Sequence, residues 1–394
     1  MDARCGLASA EVSPLHNLAR AAEAAFERHG DHDALWFEGV WHRSAALHDR
    51  ATRLAGALRE LGVQPGDRVV VLMANCPEVG VAYNAIWRAG AVVTPAVFLL
   101  PPAELAHIVS DSGARLILAS PELADNARKA AGEAHVLTTD GFGELEQADP
   151  SPIVEPAGAD LAALLYTGGT TGRAKGVMLS HENLWFAGKS GHDAGSVPGI
   201  VRSLTALPLS HAFGLLVTVV GFHVREPHSS LLMRWFQADA WLALAQDHKA
   251  QIAAVVPSML KLLVAEPLED YDLSELRHVV SGAAPLPPET AHELMERVPS
   301  VEIREGYGLT ESSAIVSSSP PGRARLGAVG TPVPGIEVRI DEPDRQGVGE
   351  ILVRSPAVML GYWPRCSATV GCTPAISASS TPTATFASST GRRT

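Results

Sequence analysis

The chain has 394 residues, 46% of them hydrophobic and 19% charged, enough for two or three packed lobes and far from the composition that keeps a chain unfolded. Its 43 acidic against 31 basic residues give a formal charge of −12, which excludes the generally basic surface that duplex DNA requires; no nucleic-acid partner is expected, and any anion site has to be local. Four cysteines with no CxxC pair, an N-terminus without a signal-peptide core, and a longest apolar stretch (204–224) broken by Pro208, Ser210 and His211 exclude a disulfide scaffold and a spanning helix, and point to a cytoplasmic protein with peripheral membrane contact left open.

Residues 1–150 read as a first α/β sub-lobe. Leu47, Leu54, Leu58 and Leu61 recur at helical spacing, and after the turn Pro65-Gly66-Asp67 the run 68–73 reads as a short buried strand. A helix over 78–88 leads to a strand at 91–94, and another helix leads to a strand at 115–119. This βαβ rhythm predicts parallel sheet covered by helices. A softer stretch, 149–158, carries three prolines and bridges to a second α/β sub-lobe over 151–326, with strands expected at 161–166, 251–256, 277–280 and 301–304. Over 327–363, Gly/Pro turns separate short strands at 336–340 and 350–353, which predicts a small β-rich sub-lobe. Trp185 and Trp235 read as core residues. In the last 31 residues, 364–394, 13 are Ser or Thr and none is Asp or Glu; no helical or alternating period is sustained, and the segment is expected to be unstructured.

The densest chemical signal is Tyr166-Thr167-Gly168-Gly169-Thr170-Thr171-Gly172-Arg173-Ala174-Lys175-Gly176. A strand runs into a loop of small and hydroxylated residues, so backbone amides and Thr hydroxyls can converge on phosphate oxygens, and Lys175 adds a point charge. A Walker A loop needs Gly-Lys followed by Ser or Thr, which is not the order here, and GxGxxG is absent too. A ligand-free glycine-rich turn is the competing reading of this segment alone.

Other motifs follow in order: Pro208-Leu209-Ser210-His211-Ala212-Phe213-Gly214, Ser281-Gly282-Ala283-Ala284-Pro285, Gly306-Tyr307-Gly308-Leu309-Thr310-Glu311-Ser312, Val329-Gly330-Thr331-Pro332, and Gly349 to Arg354 through Gly361-Tyr362-Trp363. Together with the Thr/Gly-rich loop, in which Gly168 stands for Ser and Ala174 for Pro, they resemble the AMP-forming acyl-adenylate superfamily of acyl-CoA synthetases over roughly residues 14–363. The resemblance implies that superfamily's large N-terminal α/β lobe, with ATP, Mg2+ and CoA as cofactor and co-substrates and a small carboxylic acid as partner. It implies that Thr167, Gly168, Gly169, Thr170, Thr171, Gly172 and Lys175 hold the β- and γ-phosphates, and that Gly282, Ala283, Ala284 and Pro285 lie against adenine. Tyr307, between Gly306 and Gly308, would stack on the base, Thr310 would bond the α-phosphate, and Glu311 would ligate Mg2+. His211 would lie beside the acyl carboxylate. Apolar walls at 209–220 and 255–263 suit an acyl or aryl tail.

A fatty-acid-type acyl-CoA synthetase is the leading expectation. An acyl-AMP ligase serving a carrier protein, an aryl-CoA ligase, and an inactive remnant that still binds nucleotide or acyl groups are the alternatives; the sequence does not give the oligomeric state. The superfamily continues after Gly-Tyr-Trp into a Thr-Gly-Asp motif, an Asp-Arg-x-Lys-Asp hinge and a C-terminal lobe with the adenylation lysine, none of which follows here, and no lysine occurs after Lys261. Read one base earlier, the codons of 369–394 permit DGWLHTGDLGVLDADGYFRVIDRKKD, which carries both motifs. A one-base frame slip near Pro364 and adenylation reduced by orders of magnitude are therefore expected.

Overall fold

The computed structural model describes residues 16–168, 173–345 and 347–363; the frame-slip expectation for 364–394 lies outside them. Helix α1 (Leu18–His29) starts at Asn17, whose side-chain oxygen accepts from the Ala19 and Arg20 amides. The hairpin β1 (Asp33–Phe37) and β2 (Val40–Arg43) leads into α2 (Ser44–Glu60), β3 (Arg68–Leu72), α3 (Pro77–Arg88), β4 (Val92–Pro95), α4 (Pro102–Ser112), β5 (Leu116–Ala119), α5 (Ala124–Ala130), β6 (His135–Thr138) and the single turn α6 (Phe142–Leu145). Next come β7 (Leu161–Thr167), β8 (Lys175–Ser180), α7 (His181–Gly195), β9 (Arg202–Thr205), α8 (Ala212–Val220), β10 (Ser229–Leu232), α9 (Ala238–Asp247), β11 (Ile252–Val255), α10 (Pro257–Val264), β12 (His278–Ser281), α11 (Pro288–Arg297) and β13 (Glu302–Tyr307). The short strands β14 (Ser317–Ser318), β15 (Thr331–Pro332), β16 (Glu337–Asp341), β17 (Glu350–Arg354) and β18 (Gly361–Trp363) close the order.

Seven strands form one sheet in the order β18-β8-β7-β4-β3-β5-β6, nine form another in the order β15-β14-β13-β12-β11-β9-β10-β1-β2, and β16-β17 stand apart. The strands joined by helices pair in parallel, β3 with β4 and β5, β9 with β10 and β11, β12 with β13, as the βαβ rhythm requires. Both sheets draw strands from either side of the expected boundary at 150/151: the β7–β8 hairpin joins the first sheet and the β1–β2 hairpin the second. Within 327–363 only β16–β17 form a separate ribbon, since β15 and β18 each extend a large sheet.

The two largest apolar cores among the described residues frame these sheets. One lies between the first sheet and helices α1, α2, α3, α7 and α8 and includes Leu54, Leu58, Val69, Val71, Trp87, Leu179 and Leu215; the other packs α9, α10 and α11 against the outer face of the second sheet and includes Trp241, Val255, Leu260, Leu263 and Ile303. Leu54 and Leu58 are buried as their spacing predicts, but Leu61 is the residue after α2 and is 53% exposed, because the helix has ended and the apolar face no longer continues. The proline-rich stretch is strapped down rather than free: the Ser151 amide donates to Thr52 O, the Val154 amide to Arg88 O, and the Arg88 guanidinium to Ser151 O at 2.5 Å. Among the described residues no helix is long and apolar enough to cross a membrane.

Candidate active site

The β7–β8 hairpin pairs Thr167 with Lys175 at its last register, so these two residues flank the glycine-rich segment within the first sheet. Gly168 is exposed at its start; Gly169, Thr170, Thr171 and Gly172 lie outside the described residues. The hairpin end is anchored from below. The Tyr166 hydroxyl donates to Asp111 Oδ2 at 2.6 Å, His107 Nε2 lies 3.1 Å from Ala174 O, and the Trp363 indole donates to Asp111 O at 2.9 Å.

From the second sheet, β13 delivers Gly306 and Tyr307, and the chain turns through Gly308 and Leu309 into a single 3-10 turn, Thr310–Ser312. Gly308 is required there because a Cβ would collide with the Ala314 carbonyl oxygen, where Ser313 and Ala314 fold back with left-handed φ of 53° and 68°. The turn is tied down by Met359, whose amide donates to Glu311 O at 2.8 Å, and by Ser313 Oγ, which donates to Ala357 O at 2.8 Å. Segment 356–358 is in turn held by Asn183 Nδ2, which donates to Pro356 O and Val358 O; Asn183 is fixed by its capping box with Ser180 at the start of α7.

Between these two ends lies Tyr362 on β18. Its hydroxyl donates to Glu311 Oε1 at 2.9 Å, and Lys175 Nζ stands 5.3 Å from the centre of its ring. Burial, reinforced by the Glu311 carboxylate, pushes the Tyr362 phenol up to about 12, so it remains a donor at neutral pH.

His211 caps α8, its Nδ1 accepting from the Phe213 amide at 3.3 Å; the neutral tautomer then carries its proton on Nε2. The imidazole is exposed to the cavity, yet the surrounding protein withdraws bulk solvent, and this desolvation lowers its pKa. The preceding loop is fixed by Asn75: its Nδ2 donates to Leu207 O and Met233 O, and its Oδ1 accepts from the Leu209 amide. Gly214 permits the tight packing of α8 on that loop, since a Cβ would fall on the Pro208 carbonyl oxygen.

Lys175, His211, Tyr307, Thr310, Glu311 and Tyr362 border one cavity of about 830 Å3. At one end its walls carry Thr167, Gly168, Lys175, Gly282, Ala283, Gly306, Tyr307, Gly308, Thr310, Glu311 and Tyr362; it then runs between the second sheet and helices α7 and α8, past His211, Phe213, Leu216 and Val220. Ala284 and Pro285 are exposed and do not line it. Of the two expected apolar walls, 209–220 contributes α8, but the second is corrected: Val255 on the outer face of β11 and Leu260 and Leu263 on α10, which packs on that face, are buried in the core behind the sheet. Trp185 packs against the first core, whereas Trp235 is 43% exposed, its ring edge-on to Phe98; it lies on the surface and is not a core residue.

The AMP-binding enzyme family model matches residues 22–363. The chain belongs to this family. It is 34% identical over 366 residues to feruloyl-CoA synthase of Amycolatopsis sp, covering 90% of this chain and 72% of that one, and 34% identical over 352 residues to 4-coumarate–CoA ligase 2 of Oryza sativa subsp. japonica, covering 79% and 62%. Its fold is similar to the inhibitor-bound N-terminal domain of FACL13 from Mycobacterium tuberculosis, with a TM-score of 0.81 at 25% identity over 89% of this chain and 91% of that one. It is also similar to ATP-bound MatB from Rhodopseudomonas palustris, with a TM-score of 0.78 at 31% identity over 88% and 72%. The architecture is thus the N-terminal lobe of acyl-adenylate-forming enzymes.

For an AMP-binding enzyme, the fit to Mg2+ rests on Glu311. Among the described residues no group of three or more His, Cys, Asp or Glu side chains forms a cage. A single carboxylate beside a phosphate loop suits Mg2+, which keeps waters and is held by one or two carboxylates plus substrate phosphates. Three features of the site went unassigned in the sequence. Tyr362 stands in the Gly361-Tyr362-Trp363 motif, where its residue type alone implies no role. Asn75 carries no sequence signal. Arg304, 1% exposed on the cavity floor, donates to Ser319 O and Gly195 O at 2.9 and 3.0 Å; its strand also carries Glu302 and Glu305, so the sequence does not set it apart.

Proposed function

We propose that the chain activates a carboxylic acid with ATP to an acyl-adenylate, releasing pyrophosphate, and that the acyl group then passes to the thiol of CoA. The observation that carries this reading is the single cavity that joins the Lys175–Thr310–Glu311 end to an apolar passage along α8. The carboxylate oxygen attacks the α-phosphorus, the bond from that phosphorus to the β-bridging oxygen breaks, and pyrophosphate leaves; the thiol sulfur later attacks the acyl carbonyl and AMP leaves. Two anions meet in the first step, so the work of the protein is positioning and charge neutralisation.

Thr167, the amides from Gly168 to Gly172 with the hydroxyls of Thr170 and Thr171, and Lys175 bind the β- and γ-phosphates, while Gly282, Ala283 and Tyr307 bound the adenine and Thr310 the α-phosphate. Mg2+ carried by the nucleotide and held at Glu311 would withdraw charge from the phosphate oxygens. His211, kept neutral at pH 7, directs its Nε2–H to a carboxylate oxygen without forming an ion pair, which leaves the carboxylate nucleophilic.

The acid is of the fatty type, with an elongated aryl acid as the alternative: the apolar passage past Phe213, Leu216 and Val220 supports a long tail, and the feruloyl and coumarate ligases among the relatives support an aromatic one. CoA as acceptor rests on those same relatives; a carrier protein is the alternative. ATP–pyrophosphate exchange across fatty and aromatic acids tests the reading: exchange that depends on added acid is expected, and acid-independent release of ADP and phosphate contradicts it.

A further inference from the structure

The floor of the cavity is the inner face of a parallel sheet, where buried strands ordinarily read as Val, Ile and Leu. At the end remote from Thr310 this pattern fails. Ser203 on β9 and Ser230 on β10 are cross-strand partners, their hydroxyl oxygens lie 3.2 Å apart, and His228 Nε2 lies 3.0 Å from Ser203 Oγ. All three side chains line the cavity. Thr205, the next residue of β9 on this face, has its hydroxyl engaged by the Leu207 amide, so it serves the loop that follows.

A serine hydroxyl donates once and accepts twice, and an imidazole nitrogen serves one partner. The contacts within the trio therefore leave hydrogen-bonding capacity unused on Ser203 and Ser230. An alkyl tail that displaced water from this end would leave that capacity unmet, at a cost to binding.

We infer that Ser203, Ser230 and His228 form a hydrogen-bonding subsite for a hydroxyl group at the far end of a long carboxylic acid. The inference rests on the acid-activation reading above and specifies its substrate. Burial takes the His228 imidazole down to about 4, so it is neutral and matches a neutral hydroxyl rather than a second carboxylate. The charged residues at this end, Arg225 and Glu226, are of opposite sign and both exposed, and Arg225 also lies 3.9 Å from Asp193; they provide no net field to select an anion.

Strand register sets the reach. Ser203 is level with Ile252, His278 and Glu302 across the sheet, and Gly282, at the nucleotide end, lies four residues further along than His278. With about 3.3 Å per residue and about 4.8 Å per strand, Gly282 is roughly 16 Å from Ser203 and roughly 19 Å from Ser230. An extended chain of lauric length spans this distance; a caproic chain does not.

Calorimetric binding to the full chain tests the subsite with ω-hydroxylaurate against laurate, and with ω-hydroxycaproate against caproate as the length control. A preference of about tenfold for ω-hydroxylaurate is expected, absent in the short pair and lost in the S203A/S230A double variant. Laurate binding as tightly as its hydroxylated form, or a preference that survives the double variant, overturns the inference; tightest binding by the dicarboxylate of the same length overturns it in favour of Arg225. Acid-dependent exchange, measured alongside, separates the two claims. A hydroxyl preference in binding with no exchange for any acid refutes the activation reading and leaves the subsite, whereas exchange without the preference does the reverse.

Discussion

Tyr362 donates its hydroxyl hydrogen to Glu311 at 2.9 Å, although the two residues are 51 positions apart and come from different sheets. The bond closes the seam between the sheets beside the phosphate loop, because β18 adds to the edge of β8 while Glu311 follows β13.

Replacing Tyr362 by Phe keeps the ring beneath Lys175 and removes only the donor. A hydrogen bond to a charged group contributes about 1.5–3 kcal/mol, and because this one is partly exposed the lower end applies. ATP affinity in the presence of Mg2+ is expected to fall by about tenfold, measured by calorimetry. An unchanged affinity would show that the contact is incidental.

Lys175→Met removes the lysine that lines the cavity beside the phosphate loop. Nucleotide affinity should fall by at least tenfold and lose much of its salt dependence, while binding of the free acid stays within about twofold. Equal losses for nucleotide and acid would place Lys175 in the structure of the cavity and not in phosphate binding.

Gly214→Ala sets a methyl against the Pro208 carbonyl. Either α8 or the loop carrying Ser210 and His211 has to shift, at a cost of about 1–3 kcal/mol. Urea denaturation should show that loss, together with weakened acid binding, since the same loop carries His211.

His181 is fully buried at the start of α7, where its Nδ1 accepts from the Leu18 amide at 3.2 Å, and burial lowers its pKa from 6.5 to about 4. The unfolded chain therefore binds this proton more readily than the folded one. The stability held by the neutral ring is complete above the unfolded pKa and is lost as pH falls from 6.5 toward 4, by about 2 kcal/mol at pH 5. His181→Gln keeps an acceptor for Leu18 and removes the titration. Urea denaturation at pH 7 and pH 5 should show a smaller loss on acidification in the variant; an identical loss would rule out His181 as its source.

Much of this architecture is legible in the chain. Val69, Val70 and Val71 after Pro65-Gly66-Asp67 announce a buried strand, and the order of the motifs brings Lys175, His211, Thr310 and Glu311 to one cavity. What stayed hidden depends on strand exchange between sheets. Nothing local in Trp36 or Leu35 says that β1 pairs with β10 almost 200 residues later, and nothing in Tyr362 says that β18 returns to β8. The apolar run 255–263 misled because burial behind a sheet and burial against a ligand look the same in sequence; only the strand's two faces distinguish them. Ser203 and Ser230 each look like an ordinary strand serine until the register sets them side by side.

The central claim is that one cavity receives nucleotide and acyl tail together. It is tested most directly by calorimetric binding of a non-hydrolysable acyl-adenylate analogue, such as a lauroyl sulfamoyl adenosine, beside its adenosine sulfamate and its fatty acid taken separately. Linking two fragments that occupy one site makes the second binding event intramolecular, so the joined ligand should bind at least about a hundredfold tighter than either piece. A joined ligand that binds no better than the nucleotide fragment alone would contradict the account.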